Sequence, residues 1–212
     1  SRNPVIEHFQ FSRKYKERKP KRYEYRMIQD LTEIREYCRD KRICLIGNAD
    51  SVLRRERKID SQHDIICRMN RGTPKGKERF IGERTDILFL STGMNGENIK
   101  TNFDPKYVVW CTECIRLAQS WVLHNAIQNP AKDWHWLYKR LGKNPSTGMM
   151  ALYFMLQNIQ FRKLTIYGFD FFATKSWYNT EIDSGQKHNG QKEKVLFGEL
   201  VKDKKNIRLV KT

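Results

Sequence analysis

Short apolar runs of strand length recur along this chain, each followed by a polar turn and then a segment of helical period. The runs are "RICLI" at 42–46, "HDIIC" at 63–67, "TDILFL" at 85–90, "KYVVW" at 106–110 and "KLTIY" at 163–167, with "NIRLVK" closing the chain at 206–211. Between them lie stretches with apolar residues three or four apart. Ile28, Leu31, Ile34 and Cys38 form one such series, and 120–141 and 146–157 form others. Strands that alternate with helices, over connections too long for hairpins, predict an α/β domain with a mostly parallel sheet and helices on both faces. "SWVLHNAI" and "DWHWLYKRL" both read as helical here, and 146–157 as one long helix.

The 212 residues suffice for one domain with a core, or for a domain plus an arm. Five Trp, nine Tyr and eleven Phe can bury a large area, which excludes a disordered chain. No apolar run is long enough to span a bilayer, and no signal peptide is visible. The net charge of +17 calls for an anionic partner: nucleic acid, anionic lipid or a phosphorylated ligand. Basic residues concentrate in "FSRKYKERKPKRYEYR" at 11–26. Residues 1–27 therefore read as a basic arm that is either solvated or docked on a polyanion or membrane, and 28–212 as the folded domain. The five cysteines, Cys38, Cys44, Cys67, Cys111 and Cys114, form no repeating framework, which points to reduced thiols and a cytosolic compartment. Cys111 and Cys114 have redox-motif spacing, but no second Cys/His pair completes a zinc site.

Ligands of a doubly wound sheet sit at the carboxyl ends of its strands. Three polar turns fall there. Gly47, Asn48 and Asp50 follow the first strand, and the Gly permits a sharp turn into a helix whose N–H groups suit phosphate. Only one glycine is present, so this is not the dinucleotide fingerprint. Asn70 follows the second strand and can read a base edge or a phosphate, or cap a turn. The third is Pro145-Ser146-Thr147-Gly148, where Ser146 or Thr147 can cap the long helix. Gly148 costs helix stability, up to about 1 kcal/mol against Ala, and close approach of an anion or ribose would justify it. Near the end, His188 stands in a polar loop just before an amphipathic helix. An imidazole there can serve as a general base at neutral pH.

Taken in order, these pieces resemble the sialylmotifs of the animal-type sialyltransferases, glycosyltransferase family 29, in a bacterial-type member. Residues 44–91 are similar to the large motif, with the Gly-Asn turn, "IDSQHDIICRMNRGT" and "IGERTDI" as its marks. "NPSTGMMALYFMLQNIQFRKLTIYGFDFF" resembles the small motif, "KSWYNT" a degenerate third motif, and "HNGQKE" the His-x4-Glu form of the very small motif. The resemblance runs from about residue 42 to the end. It implies a single Rossmann-like nucleotide-binding domain of variant GT-A type. It implies an inverting, metal-independent transfer of sialic acid from CMP-sialic acid to a glycan hydroxyl, without a cofactor. In those terms Gly47, Asn48, Asn70, Ser146, Thr147 and Gly148 hold the nucleotide. His188 is the base, Glu193 orients the loop or helix that carries it, and Trp177 and Tyr178 meet donor or acceptor. The sequence departs from the pattern in four places. Cys44 has no small-motif cysteine to pair with, Asn144 stands where the family has Tyr, Ser51 replaces a later Asn, and the third motif lacks its histidines.

The expected partners are a CMP-sugar and a surface polysaccharide or lipooligosaccharide acceptor, with the basic arm on anionic membrane. The expected place is the cytoplasm or the inner face of the membrane, or the Golgi lumen if an anchor has been removed. A CMP-Kdo-dependent Kdo transferase is the enzymatic alternative. A basic module binding nucleic acid or anionic membrane is the alternative of another class, and no RNP, helix-turn-helix or zinc signature supports the nucleic-acid form.

Overall fold

The computed structural model describes residues 27–171, 173, 176–178 and 188–211. The basic arm read at 1–27 lies outside these, apart from Met27, which is buried in the core. Seven strands form one sheet: β1 (Arg42–Ile46), β2 (Ile65–Met69), β3 (Ile87–Leu90), β4 (Tyr107–Trp110), β5 (Ile127–Gln128), β6 (Lys163–Tyr167) and β7 (Ile207–Leu209). Their order is β5-β4-β3-β2-β1-β6-β7, and every pairing is parallel. The α-helices among the described residues are α1 (Thr32–Cys38), α2 (Ile59–Gln62), α3 (Glu78–Ile81), α4 (Gly96–Asn102), α5 (Ser120–Asn125), α6 (Ala131–Leu141), α7 (Thr147–Asn158) and α8 (Gly190–Val201). The sheet is wound in both directions from β1, so the topological switch lies between β1 and β6.

Side-chain alternation along each strand explains how both faces are buried. Ile43 and Leu45 of β1, Ile65 and Cys67 of β2, and Leu164 and Ile166 of β6 point into one core with residues of α1, α6, α7 and α8. Cys44, Ile46 and Ile66 point the other way, onto Val52, Ile59 and Ile81. Leu88, Leu90, Val108 and Trp110 continue that second face beneath Ile99 and Val122. Both faces being covered is why the strands read as unbroken apolar runs.

Three elements differ from the sequence expectation. Ile28 has helical spacing, yet it is extended and pairs with Ile127, donating to Ala126 O at 2.9 Å and accepting from Gln128 N. The helix starts only after Asp30, whose carboxylate accepts the Thr32 amide at 2.9 Å. Residues 120–141, expected as helix, are broken by β5, whose two residues are too few to show a period. The helix anticipated after Gly47 is a five-residue 3₁₀ turn, Asp50–Arg54, with an acidic residue in its first turn. It offers an anion little.

Arg68 carries the one fully buried guanidinium in the described core, 1% exposed. It donates to Thr85 Oγ1 at 3.0 Å and to the carbonyls of Ile81, Gly82 and Arg84 at 2.9–3.0 Å. These bonds tie the chain leaving α3 to the underside of β2. Burial pulls its pKa down to about 10, so it is still a cation at neutral pH. Arg68→Met would fill similar space but leave three carbonyls and a hydroxyl without donors. A loss of about 3 kcal/mol or more is expected, read as a lower urea midpoint at unchanged slope.

Candidate active site

The carboxyl ends of β1 and β6 come together through two glycines. A Cβ at Gly47 would stand 2.4 Å from Gly168 O, and one at Gly168 2.6 Å from Gly47 O. Gly168 also has φ of 66°, where a side chain is strained. The Gly47 amide donates to Tyr167 O at 2.7 Å, extending the ladder one step past the strand. Asn48 follows directly and is nearly buried. Its Nδ2 donates to Met69 O at 3.0 Å and to the Tyr178 hydroxyl at 2.9 Å. Its Oδ1 is buried with no donor among the described residues. Leaving such an acceptor unmet costs about 1–3 kcal/mol, a cost tolerated more readily at a binding site than in a core.

Asn70 caps the end of β2 in a left-handed conformation, φ 48°, which Asn tolerates better than most residues. That turn aims its amide across the strand ends. Nδ2 donates to Thr147 Oγ1 at 2.9 Å, and Oδ1 accepts from the Ser91 amide at 3.0 Å. The Ser91 and Thr147 hydroxyls also meet. Ser91 was given no role in the sequence reading. The signal was present, since it is the first polar residue after β3, the same position that singled out Asn48 and Asn70.

Ser146 is the N-cap of α7, and its Oγ accepts the Met149 amide at 3.2 Å. The hydroxyl proton goes to Glu193 Oε2 at 2.7 Å, and the Ser146 amide donates to Glu193 Oε1 at 2.8 Å. Glu193 is 2% exposed and lies in the first turn of α8, where the helix dipole favours a carboxylate. Asn189 caps that helix, accepting the Lys192 amide at 3.1 Å. One residue earlier, His188 Nδ1 lies 2.9 Å from Asn144 O. A carbonyl can only accept, so Nδ1 carries a proton in this contact, and Nε2 is the nitrogen left to exchange one. The His-x4-Glu segment thus grips the Asn144–Ser146 turn at both ends.

Most expected site residues therefore form one connected set: Tyr178, Asn48, Asn70, Thr147, Ser146, Glu193 and His188. Two carry more structural work than expected. The Gly148 Cβ would stand 3.1 Å from the Phe169 ring, so packing of α7 against the chain leaving β6 already explains this glycine. The hydroxyl proton of Ser146 is committed to Glu193, which leaves the first-turn amides of Thr147 and Gly148 as the donors at this helix end. Trp177 lies apart. Its ring packs on the apolar cluster of Val52, Ile59 and Ile81, while its amide donates to Asn48 O at 3.2 Å. Among the described residues no three His, Cys, Asp or Glu side chains stand close enough to hold a metal, and no helix is long and apolar enough to cross a membrane. Cys44 is a free, fully buried thiol, pushed up to about 12 by burial. Cys111 is also a free, buried thiol, and burial raises it well away from the thiolate form at neutral pH.

The clamp between α7 and α8 can be measured. In a double-mutant cycle of Ser146→Ala and Glu193→Gln, the hydroxyl–carboxylate bond should appear as a coupling of about 1.5–3 kcal/mol in unfolding free energy. Additive effects would mean that the two groups do not interact.

No protein-family model matches the sequence, and no curated protein matches it. Solved structures do. A mammalian sialyltransferase in complex with Gal-beta-1-3GalNAc-ortho-nitrophenol is 21% identical, over 86% of this chain and 74% of that one, with a TM-score of 0.52. The sialyltransferase CstII from Campylobacter jejuni, in complex with cytidine-5'-monophosphate, is 11% identical over 81% and 80%, with a TM-score of 0.56. The same enzyme in complex with CMP-3FNeuAc aligns over 80% and 78%, at 11% identity and a TM-score of 0.52. Identities this low speak for architecture alone: the chain has the fold of the sialyltransferases, mammalian and bacterial.

Proposed function

We propose that this protein is a glycosyltransferase that moves sialic acid from CMP-sialic acid to a hydroxyl of a glycan, with inversion and without a metal. The observation that carries the reading is the placement of His188. Its ring is tied through Nδ1 to Asn144 O, beside the turn that opens α7, at the strand ends of a fold shared with sialyltransferases solved with CMP. The acceptor is a surface polysaccharide or lipooligosaccharide.

In this mechanism the cytidine monophosphate part of the donor lies along Asn48, Asn70 and the first turn of α7. The Thr147 and Gly148 amides and the positive end of the α7 dipole face the phosphate. The anomeric carbon of a keto-acid sugar can carry oxocarbenium-like charge. As its bond to the phosphate oxygen breaks, CMP takes the bonding pair, and donors already in place meet the growing negative charge. The acceptor oxygen attacks the opposite face of that carbon while His188 Nε2 takes its proton. Glu193 does not touch the reacting atoms. It fixes the start of α8, and so the approach of His188, through Ser146. Tyr178, 41% exposed and bonded to Asn48, is the aromatic surface available to a sugar.

Calorimetry with CMP, followed by transfer assays with CMP-sialic acid and CMP-Kdo, tests the reading. CMP should bind, and CMP-sialic acid should be the donor consumed. Consumption of CMP-Kdo alone would replace the sugar and keep the mechanism, and no heat at millimolar CMP would end both. His188→Ala should bind CMP within about twofold of wild type, while transfer falls about 10²–10⁴-fold. Unchanged transfer would remove His188 from the chemistry.

A further inference from the structure

The residues of the candidate active site gather at the carboxyl ends of the strands, next to the starts of α7 and α8, which pack on one face of the sheet. On the opposite face lies a separate groove of about 700 Å³. Its walls are the segment between the 3₁₀ turn and α2, the exposed side of α3, and the edge strand β7 with the residues that follow it. Six cations line it: Arg55, Arg57, Lys58, Arg79, Arg208 and Lys211. The single carboxylate among them, Glu56, pairs with Arg79 at 3.4 Å. Arg55, Lys58, Arg208 and Lys211 make no ion pair with any described residue.

Arg57 is held in place. Its Nη1 donates to Val52 O at 2.6 Å and to Arg55 O at 2.7 Å, and its guanidinium lies over the Tyr167 ring, 5.6 Å from the centroid. That leaves the remaining N–H groups of its fork set in direction. Arg208 points to this same face because it pairs with Thr165, two residues before Tyr167, in the parallel register of β6 and β7. A solvated surface would spread such charges. Gathering them in a concavity costs mutual repulsion, and the fold visibly uses only Arg57 and Arg79, the latter paired with Glu56 and set over the Phe80 ring. A concave low-dielectric wall also focuses their field. Four of the six are arginines, whose planar forks match the oxygens of phosphate and carboxylate. The volume falls in the range of small-molecule sites and exceeds a single phosphate. Tyr167 is buried beneath Arg57, so the groove offers no stacking platform of the kind that nucleic-acid strands use.

We propose that this groove is a second ligand site, distinct from the nucleotide cradle, that binds a compact group carrying two or more phosphates or equivalent oxyanions. A phosphorylated lipid headgroup and a soluble phosphorylated compound share that chemistry. The site rests on none of the assignments made for CMP or His188.

Calorimetry of the full chain with inorganic tripolyphosphate, alongside sedimentation with phosphatidylcholine vesicles doped with a phosphatidylinositol bisphosphate, tests it. Wild type should bind tripolyphosphate saturably at one per chain. Arg55→Glu with Arg208→Glu, both at exposed positions, should weaken that binding at least about tenfold. The same charge change at Lys100→Glu with Lys139→Glu, away from the groove, should weaken it less than about threefold. Vesicle binding lost in step with tripolyphosphate binding assigns the group to a lipid headgroup, and tripolyphosphate binding alone assigns it to a soluble ligand. Equal binding by both double variants, vesicle binding without tripolyphosphate binding, or competition of tripolyphosphate with CMP for one site would each overturn the proposal. A CMP titration of wild type and of the groove variant keeps the two readings apart: no CMP binding by either, with tripolyphosphate still bound by wild type, would sink the transferase and leave the groove standing.

Discussion

The carboxylate of Glu193 accepts two hydrogen bonds from one residue, Ser146, and through them α8 is locked to the first turn of α7. A buried carboxylate carries a desolvation penalty of several kcal/mol, which is offset only when its oxygens are met by well-placed donors. Here an amide and a hydroxyl supply them, and the same hydroxyl closes the cap of α7. The arrangement of the candidate site follows from that lock. His188 lies at the start of α8, and its ring is tied to Asn144 O just before the same turn. Two segments more than forty residues apart in the chain thereby present an imidazole beside a helix N-terminus.

The sheet supplies the second constraint. Winding in both directions from β1 puts the topological switch at the β1/β6 boundary, where such folds bind ligands, and Gly47 and Gly168 bring the two strand ends closer there than any side chain would permit. Polar residues collect at this edge because the strands below it are buried on both faces and leave nowhere else for a ligand to reach backbone and amide groups. The same winding leaves β7 as an edge strand. Its outward arginine joins the basic segment after the 3₁₀ turn on the reverse face. The positive charge of the folded part is thus not an even coat, since one concavity gathers six cations.

Much of the candidate site was legible from position alone. Asn48 and Asn70 are the first polar side chains after β1 and β2, and Ser146 precedes an apolar helix as a cap should. Ser91 obeys the same rule after β3, but a lone serine carries little chemical signal. The partners of these groups were not legible. Nothing in the spacing of 146 and 193 says that their side chains meet, nor that Gly148 faces the Phe169 ring rather than open space. Trp177 and Tyr178 are adjacent in sequence, yet one packs into the apolar cluster and the other bonds Asn48. Neighbours on an irregular segment point in directions that local pattern does not encode.

By itself, then, the sequence determined the class of fold, the run of buried strands and the turns where chemistry could sit, because burial on two faces and turn geometry are written in residue type and period. It also carried the ordered motifs that resemble the sialyltransferases. Only the tertiary structure decided that β5 exists, that Ile28 pairs rather than coils, that Arg68 braces α3, and that six cations from three separate segments share one groove. Each of these depends on contacts between residues far apart in the chain. Such contacts are selected by how the elements pack, and packing has no local signature.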